Sequence, residues 1–222
     1  MTAGKFVPLD SYLEYPQKQM KQRAASFRID MQRRRSVRSF SSRPIPREVI
    51  EECLLTAGSA PSGANMQPWY FVVVGEPDVK QRIREAAEKE EYKFYHGNAG
   101  EQWLSVLSPL GTDYQKPYLE TAPYLIIIFA RNYSLSPNGQ KVKHYYVRGS
   151  VGIATGLLIA AIHNVGLVTL PYTPGRMGFL KSILGRPENE RPFLVLVVGY
   201  PAEQVMVPDI GKKSLDEIST FV

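Results

Sequence analysis

The sequence predicts an α+β fold in which helices and strands are intermixed rather than strictly alternating. Three observations support this: short apolar runs typical of buried strands, longer segments with apolar residues at helical spacing, and no repeat or Gly/Ser linker between them. The chain has 222 residues, of which 44% are hydrophobic and 22% charged, so it can bury one large core. We therefore expect a single domain over residues 1–222 with an extended segment at each end.

Two helices are predicted before the first strand. Pro16 opens a helix over residues 17–34, and Pro46 opens a second helix that Gly58 is placed to end. Cys53 lies on the apolar stripe of the second helix, which predicts a core position. The first helix carries its apolar residues at helical spacing, namely Met20, Ala24, Phe27 and Met31.

The middle of the chain alternates apolar runs with amphipathic segments. Residues 69–74 are β-branched and aromatic and predict a buried strand, and residues 123–130 predict a central strand. Between them, residues 77–92 predict a helix, and the weakly patterned stretch up to residue 118 is a candidate lid. Residues 144–165 are apolar on most faces, which predicts a helix buried on all sides.

The last part of the chain predicts short elements. Strands are expected over residues 167–170 and 193–198, separated by a small helix over residues 176–184. Residues 201–222 form a tail whose only amphipathic piece is residues 214–218.

Composition limits the compartment and the partners. The single cysteine excludes an intrachain disulfide framework and a multi-cysteine metal site, which favours a reducing, cytoplasmic setting. The longest apolar run, residues 151–161, is shorter than the roughly 20 residues that span a bilayer, so we expect no membrane segment. The net charge of +6 favours an anionic partner: nucleic acid, an acidic membrane surface or a phosphate-bearing small molecule.

Common catalytic motifs are absent from the sequence. It contains no G-x-G-x-x-G, Walker A, H-E-x-x-H, C-x-x-C or G-x-S-x-G pattern, which removes support for Rossmann, NTPase, zinc protease and hydrolase functions. The basic run over residues 33–38 has three interpretations that the residues alone leave open. It is a solvated helix end, a nucleic-acid patch, or a clamp in which forked guanidiniums hold a phosphate.

Three motifs together resemble the FMN-dependent nitroreductase superfamily over nearly the whole chain. They are R-R-S-V-R-S-F at 34–40, A-P-S-G-A-N-x-Q-P-W at 60–69 and G-L-V-T-x-x-Y-T-P at 166–174. Within that superfamily, E-x-x-x-Y at Glu91 and Tyr95, followed by Lys116, is similar to the iodotyrosine deiodinases, and G-R-P-x-x-E at 185–190 matches further along.

The resemblance implies a fold and an assembly. The fold is the nitroreductase-like layered fold, with a central, mostly antiparallel sheet flanked by helices in an intertwined homodimer. Residues 92–118 would form an active-site lid, and the tail at 201–222 would pack on the partner subunit.

The resemblance also implies roles for particular residues. Ala64 would donate its backbone N–H to the substrate phenolate, and Thr173 would place its hydroxyl on flavin N5. Lys212 stands where the family often has Arg and keeps the charge at that position. The residues expected to bind FMN are Arg34, Arg35, Ser36, Arg38, Pro61, Ser62, Gly63, Thr173 and Lys212.

Glu91, Tyr95 and Lys116 make chemical sense as a site for an amino acid. A zwitterion needs an anion for its ammonium and donors for its carboxylate, and these residues supply both. Glu91 and Tyr95 are one helical turn apart and share a face. The alternative is that the Glu-Lys-Glu-Glu run is solvated helix surface.

The function implied is FMN-dependent removal of halide from 3-halotyrosines such as 3-iodotyrosine, by one-electron steps. NAD(P)H would be the electron source, directly or through a flavin reductase, with no role for nucleic acid or membrane. A general nitro or quinone reductase of the same superfamily is the main alternative; a nucleic-acid binder and a flavin protein without turnover are others.

Overall fold

The computed structural model describes residues 4–98 and 100–222. The chain divides into two compact units, Met1–Arg34 and Arg35–Val222, and the single domain over residues 1–222 stays a prediction. The first unit contains helix α1 (Gln17–Gln32), which begins after Pro16 as predicted and ends two residues early. None of the α1 residues is buried, so its apolar face is open.

The second unit contains seven helices and six strands within the described residues. The helices are α2 (Arg47–Gly58), α3 (Pro77–Lys93), α4 (Glu101–Leu107), α5 (Tyr118–Thr121), α6 (Val147–Asn164), α7 (Gly178–Ile183) and α8 (Leu215–Ile218). The strands are β1 (Trp69–Val74), β2 (Tyr124–Arg131), β3 (Tyr133–Leu135), β4 (Lys141–Lys143), β5 (Val168–Tyr172) and β6 (Glu190–Gly199).

A four-stranded sheet in the order β1-β2-β6-β5 forms the centre of this unit. Every pair of neighbours is antiparallel, which confirms the predicted α+β fold with an antiparallel sheet. Side chains alternate between the two faces of β2. Ile126 and Ile128 pack in a cluster with α2 and α6, whereas Ile127 and Phe129 pack in a second cluster with α3 and α7. The sheet is therefore covered by helices on both faces.

Two predictions about burial are wrong. Strand β1 has the predicted bounds, but it lies at the edge of the sheet, and Tyr70 and Val73 are each 37% exposed. Helix α6 buries one face, which includes Val151 and Leu158, while Ile153 on another face is 49% exposed. Apolar periodicity identifies a face that packs against another element, but it does not tell whether that element belongs to the same chain.

A hairpin formed by β3 and β4 was not predicted, although the sequence contains its signal. Asn138-Gly139 is a turn dipeptide, Gly139 has φ +78°, and Ser136 N–H donates to the Gln140 carbonyl at 2.9 Å. In the part of the chain that the structure describes, no helix is long and apolar enough to cross a membrane.

The sheet makes a direct stability prediction. Ile126 on β2 is fully buried, so Ile126→Ala should lower the free energy of unfolding by about 2–5 kcal/mol through lost burial and the cavity left behind. Urea denaturation measures this loss. Leu55→Ala on α2 is the control, because Leu55 is 67% exposed and should change stability by less than about 1 kcal/mol. Equal losses in the two variants would contradict the assigned core.

Candidate active site

A cavity of about 250 Å³ lies between the end of α3, the segment after it and the end of β5. It brings together five of the residues singled out from the sequence, which are Arg38, Glu91, Tyr95, Lys116 and Thr173. The remaining wall is largely apolar and consists of Phe94, Trp103, Leu107, Leu170, Pro171 and Gly175, with Thr112, Tyr118 and Tyr172 as further polar groups.

The end of α3 positions two of the polar side chains. Glu91 lies in its last turn, and Tyr95 lies in the π-helical turn Phe94–Asn98 that follows directly. Single π-turns are rare and are frequent at functional sites. The Tyr95 hydroxyl donates to the Thr112 carbonyl at 3.3 Å, and burial raises the pKa of its phenol, so this group is a neutral donor. The predicted shared face of Glu91 and Tyr95 is confirmed by their common cavity.

Glu91 and Lys116 form a buried ion pair in the cavity wall. Glu91 Oε2 and Lys116 Nζ are 3.4 Å apart, and the side chains are 12% and 2% exposed. Burial lowers the pKa of the Lys116 ammonium, while the Glu91 carboxylate acts in the opposite direction. The attraction between two buried charges offsets only part of the free energy needed to remove them from water. The pair is therefore weak evidence for stability and stronger evidence for a role in binding.

Tyr172 is a site residue that the sequence analysis did not single out. Its hydroxyl donates to Glu91 Oε1 at 3.2 Å, so Tyr172 and Lys116 contact different oxygens of the carboxylate and together orient it. Burial and the neighbouring Glu91 raise the pKa of Tyr172, and the same causes raise that of Tyr118, so both phenols remain protonated. The signal available in the sequence was the polar tip of Tyr172 in an otherwise apolar strand, immediately before Thr173.

The far end of the predicted lid is attached to α3. The Lys116 N–H donates to Glu88 Oε1 at 2.7 Å. Arg84 then joins Glu88 to Glu120 through contacts of 2.6 and 2.8 Å. Residues 101–110, which contain α4 and a short 3₁₀ turn, form the outer wall, and Trp103 on α4 is 58% exposed. The predicted lid segment is therefore fixed at Lys116, and its described outer part, residues 101–110, has few buried groups.

A strap over residues 36–41 crosses the end of the sheet and positions Arg38. Ser36 bridges to Thr169 on β5, and the Ser41 N–H donates to the Tyr200 carbonyl at 2.9 Å. A Cβ at Gly199 would lie 2.9 Å from the Phe40 ring, so the strap requires glycine there. Arg38 lies between these two attachments and lines the cavity, and no ion pair to it is found among the described residues.

The loop over residues 61–64 lies elsewhere in this chain. The Gly63 N–H donates to Ser150 Oγ on α6 at 3.4 Å, and Ala60 packs in the core cluster shared by α2 and α6. The cavity residues Tyr118 and Tyr172 pack in the cluster on the opposite face of the sheet. Pro61, Ser62, Gly63 and Ala64 are therefore not among the residues that line the cavity.

Other predicted flavin residues are also outside this cavity. Arg35 donates to the Pro208 carbonyl, which ties the start of the strap to the C-terminal tail. Lys212 is exposed in that tail. Arg34 belongs to the first unit, and its predicted role stays a prediction. Within the described residues, no group of three His, Cys, Asp or Glu side chains is placed to hold a metal ion.

Comparison with known proteins places this geometry in a family. Residues 31–200 match the model of the nitroreductase family. An iodotyrosine deiodinase from Haliscomenobacter hydrossis is 54% identical over 200 residues, covering 90% of each chain. The human iodotyrosine deiodinase 1 is 46% identical over 213 residues, covering 96% of this chain and 74% of that protein.

A solved structure agrees with the sequence relatives. The crystal structure of oxidised iodotyrosine deiodinase bound to FMN and 3-iodo-L-tyrosine has a TM-score of 0.76 and 30% identity, covering 88% of this chain and 100% of that chain. A BluB-like flavoprotein from Clostridium difficile, at 21% identity and a TM-score of 0.68, shares the fold. The chain belongs to the nitroreductase family and, within it, to the iodotyrosine deiodinases.

Proposed function

We propose that this protein removes halide reductively from 3-halotyrosines, with 3-iodotyrosine as the model substrate and FMN as the cofactor. The observation that carries the proposal is the buried Glu91–Lys116 pair in the wall of a cavity that Thr173 and Arg38 also line. The relatives named for this activity at 45–54% identity support it. The chain is accordingly a flavin-dependent oxidoreductase.

The amino-acid end of the substrate would bind at the ion pair. In the structure Glu91 and Lys116 neutralise each other, and an α-amino acid carries the same two charges. The substrate ammonium would take the place of Lys116 beside Glu91, and the substrate carboxylate would accept hydrogen bonds from Lys116 and Tyr95. A ligand without these charges cannot form ion pairs with Glu91 and Lys116, so the cavity would be selective for amino acids.

The positive charge that Arg38 brings to the site suits FMN. The backbone is fixed on both sides of Arg38, and the side chain lines the cavity. Its guanidinium could bind a phosphate or another anionic part of a cofactor. Arg34, Arg35, Ser36 and Lys212 would complete the anionic end, Pro61, Ser62 and Gly63 would flank the ring, and Thr173 would donate to N5. When bound, FMN supplies the reducing electrons, and we propose that they are delivered one at a time.

We further propose that the site is shared between two subunits of a homodimer. A cavity of about 250 Å³ is smaller than the roughly 300–1,000 Å³ typical of ligand sites, and FMN plus substrate need more room. The loop at 61–64 lies on the opposite sheet face of the same chain. A second copy would bring its own loop to this cavity and would cover the open face of α6 and the exposed tail.

The substrate ring would bind as a phenolate. A halogen lowers the phenol pKa below the ordinary value of about 10, and the Ala64 N–H would donate to the resulting oxygen anion. NAD(P)H is the proposed electron source, directly or through a flavin reductase, and the cytoplasm is the proposed compartment. A general nitro or quinone reductase is the alternative, and the ion pair argues against it because flat electrophiles without charges do not use it.

Amino-acid selectivity tests the proposal. The unmodified protein should bind 3-iodotyrosine far more tightly than 2-iodophenol, and Glu91→Gln or Lys116→Met should remove most of this difference, lowering 3-iodotyrosine affinity by about ten- to a hundredfold. Titration of flavin fluorescence measures both affinities. Glu90→Gln is the control, because Glu90 is the neighbouring carboxylate and pairs with Lys93 at 2.7 Å. Equal binding of the two ligands to the unmodified protein would favour the general reductase.

Cofactor retention tests the role of Arg38. Arg38→Ala should weaken FMN binding at least about tenfold, because a desolvated phosphate loses a charge-assisted hydrogen bond. Arg33→Ala should leave FMN binding unchanged, since Arg33 pairs with Asp30 at 2.6 Å on the preceding helix. The flavin-to-protein ratio after gel filtration is the measurement. Equal loss, or no loss, in the two variants contradicts the assignment.

The hydroxyl of Thr173 should decide between the two reductase activities. Thr173→Ala is expected to retain FMN and to lower the ratio of halotyrosine turnover to nitroarene turnover several-fold, because the donor to N5 is removed. Steady-state rates with both substrates give this ratio. Thr56→Ala, an exposed threonine on α2, is the control. A ratio that does not change in Thr173→Ala would rule out the N5 role.

A further inference from the structure

A second cluster of charges, built around a buried carboxylate, lies outside the cavity at the G-R-P-x-x-E motif, which the proposed function does not use. Glu190 at the start of β6 is fully buried. Its carboxylate accepts hydrogen bonds from Arg131 Nε at 2.9 Å and from Arg186 Nε and Nη2 at 2.7 and 3.0 Å. Both guanidiniums lie 4.3 Å from the centre of the Tyr70 ring. Three elements of the fold are therefore joined at one carboxylate.

The charge state of this cluster is well defined. Burial acts to raise the pKa of Glu190, but the hydrogen bonds and charges of Arg186 and Arg131 outweigh it, so the pKa is lowered. Glu190 is thus ionised at neutral pH and keeps Arg131 in one position.

Arg131 also connects this cluster to the loop over residues 63–68, which carries Ala64. The connection is a backbone hydrogen bond to Pro68, at the end of that loop. The Arg131 N–H donates to the Pro68 carbonyl at 2.8 Å, and its carbonyl accepts a hydrogen bond from His144 Nδ1 at 2.9 Å. The His144 N–H donates to the Asn132 carbonyl at 3.0 Å. His144 is 7% exposed, and its Nδ1 carries a proton because a carbonyl only accepts.

The same chain segment reaches the beginning of the loop. Tyr145 and Tyr146 follow His144, and Tyr146 has φ +51°. A Cβ on Gly63 would lie 2.9 Å from the Tyr146 ring and 3.2 Å from the Tyr145 carbonyl, so the loop backbone lies directly against this pair. The two ends of the loop are therefore held at this place: Pro68 by Arg131, and Gly63 by the two tyrosines that follow His144.

The loop between these two points has a strained backbone. Ala64, Asn65 and Gln67 have φ values of +50°, +52° and +46°, a region that residues with a Cβ rarely adopt. Such conformations persist only where the surroundings determine them. Within the loop, the Gln67 N–H donates to Ser62 Oγ at 2.9 Å. The left-handed conformation of Ala64 sets the direction of its N–H, and hence what that N–H can contact.

We propose that His144, Arg131 and Glu190 are positioning residues that hold the loop so that the Ala64 N–H points at the phenolate oxygen of the substrate. For the identity of the ligand, this inference rests on the proposed function. The cluster acts through the loop and does not touch the substrate itself.

The test compares two ligands that differ at one oxygen. 3-Iodotyrosine has the phenol oxygen, whereas 3-iodophenylalanine lacks it and has the same amino-acid end. His144→Phe should weaken binding of 3-iodotyrosine by about tenfold or more and leave 3-iodophenylalanine affinity and FMN content within about twofold. His144→Asn should restore most of the 3-iodotyrosine affinity, because the Asn amide nitrogen can donate from a position close to Nδ1.

Hydrogen exchange gives a readout that needs no ligand. Amides of residues 63–67 should exchange at least about fivefold faster in His144→Phe and in Glu190→Gln than in the unmodified protein. Lys80→Met is the matched control, because Lys80 is also buried and donates to the Glu120 and Ala122 carbonyls at 2.9 and 2.8 Å, on the other face of the sheet. It should leave loop exchange unchanged.

The outcomes separate the inference from the proposed function. If the unmodified protein binds both ligands equally, phenolate recognition fails, while faster loop exchange in His144→Phe still supports the positioning role. If His144→Phe weakens both ligands equally, or keeps loop exchange unchanged, the positioning role is overturned. If His144→Phe does not fold, Glu190→Gln takes its place in both comparisons, with the same expected results. A loss of 3-iodotyrosine affinity in His144→Asn as large as that in His144→Phe would also overturn it.

Discussion

The alternation of side chains along the two central strands is the constraint on which the rest of the structure depends. Strands β2 and β6 send every second residue to each face, and helices cover both faces. Groups that we propose to bind one ligand therefore lie on opposite faces of the sheet. The cavity with Glu91 and Lys116 lies on the α3 side, and the loop with Ala64 lies on the α6 side. Our account of function requires that a second copy of the chain reunite them.

The buried charges are explained by binding and positioning better than by stability. Glu91 and Lys116 form a buried ion pair, and Glu190 is a buried carboxylate paired with two partly exposed arginines. Replacing buried ion pairs by apolar residues is often neutral or stabilising in proteins. The first pair matches the charges of an amino acid, and the second cluster lies behind a strained loop. In both places, buried ions make one arrangement of neighbouring groups more favourable than its alternatives.

Sequence reasoning worked best where local physics decides the outcome. The bounds of β1 and the end of α2 at Gly58 were predicted because β-branched runs and glycine act over a few residues. Five cavity residues were predicted from motifs that resemble a known family, and only that resemblance indicated that they would lie close together. They are Arg38, Glu91, Tyr95, Lys116 and Thr173. Periodicity alone would have left Glu91 as a solvated helix residue.

The failures have a common physical cause. The exposed faces of β1 and α6 look buried in the sequence because their residues are apolar, and apolarity does not identify the covering partner. Tyr172 was missed because a tyrosine in a strand is ordinarily a core residue, and its hydrogen bond to Glu91 spans 81 positions of sequence. The contact of Gly63 with Tyr145 and Tyr146 likewise joins residues that are far apart in the sequence.

Subunit complementation tests the shared site most directly. Lys116→Ala disables the cavity, and Gly63→Val displaces the loop because a side chain there would collide with Tyr145 and Tyr146. Each homodimer should therefore be inactive. Coexpressed in equal amounts, the two variants form mixed dimers with one intact site, and the preparation should recover about a quarter of the unmodified halotyrosine turnover. If the site lies within one chain, every site in the mixed dimer carries one of the two changes. Absence of recovered activity in isolated mixed dimers that retain FMN would contradict the account.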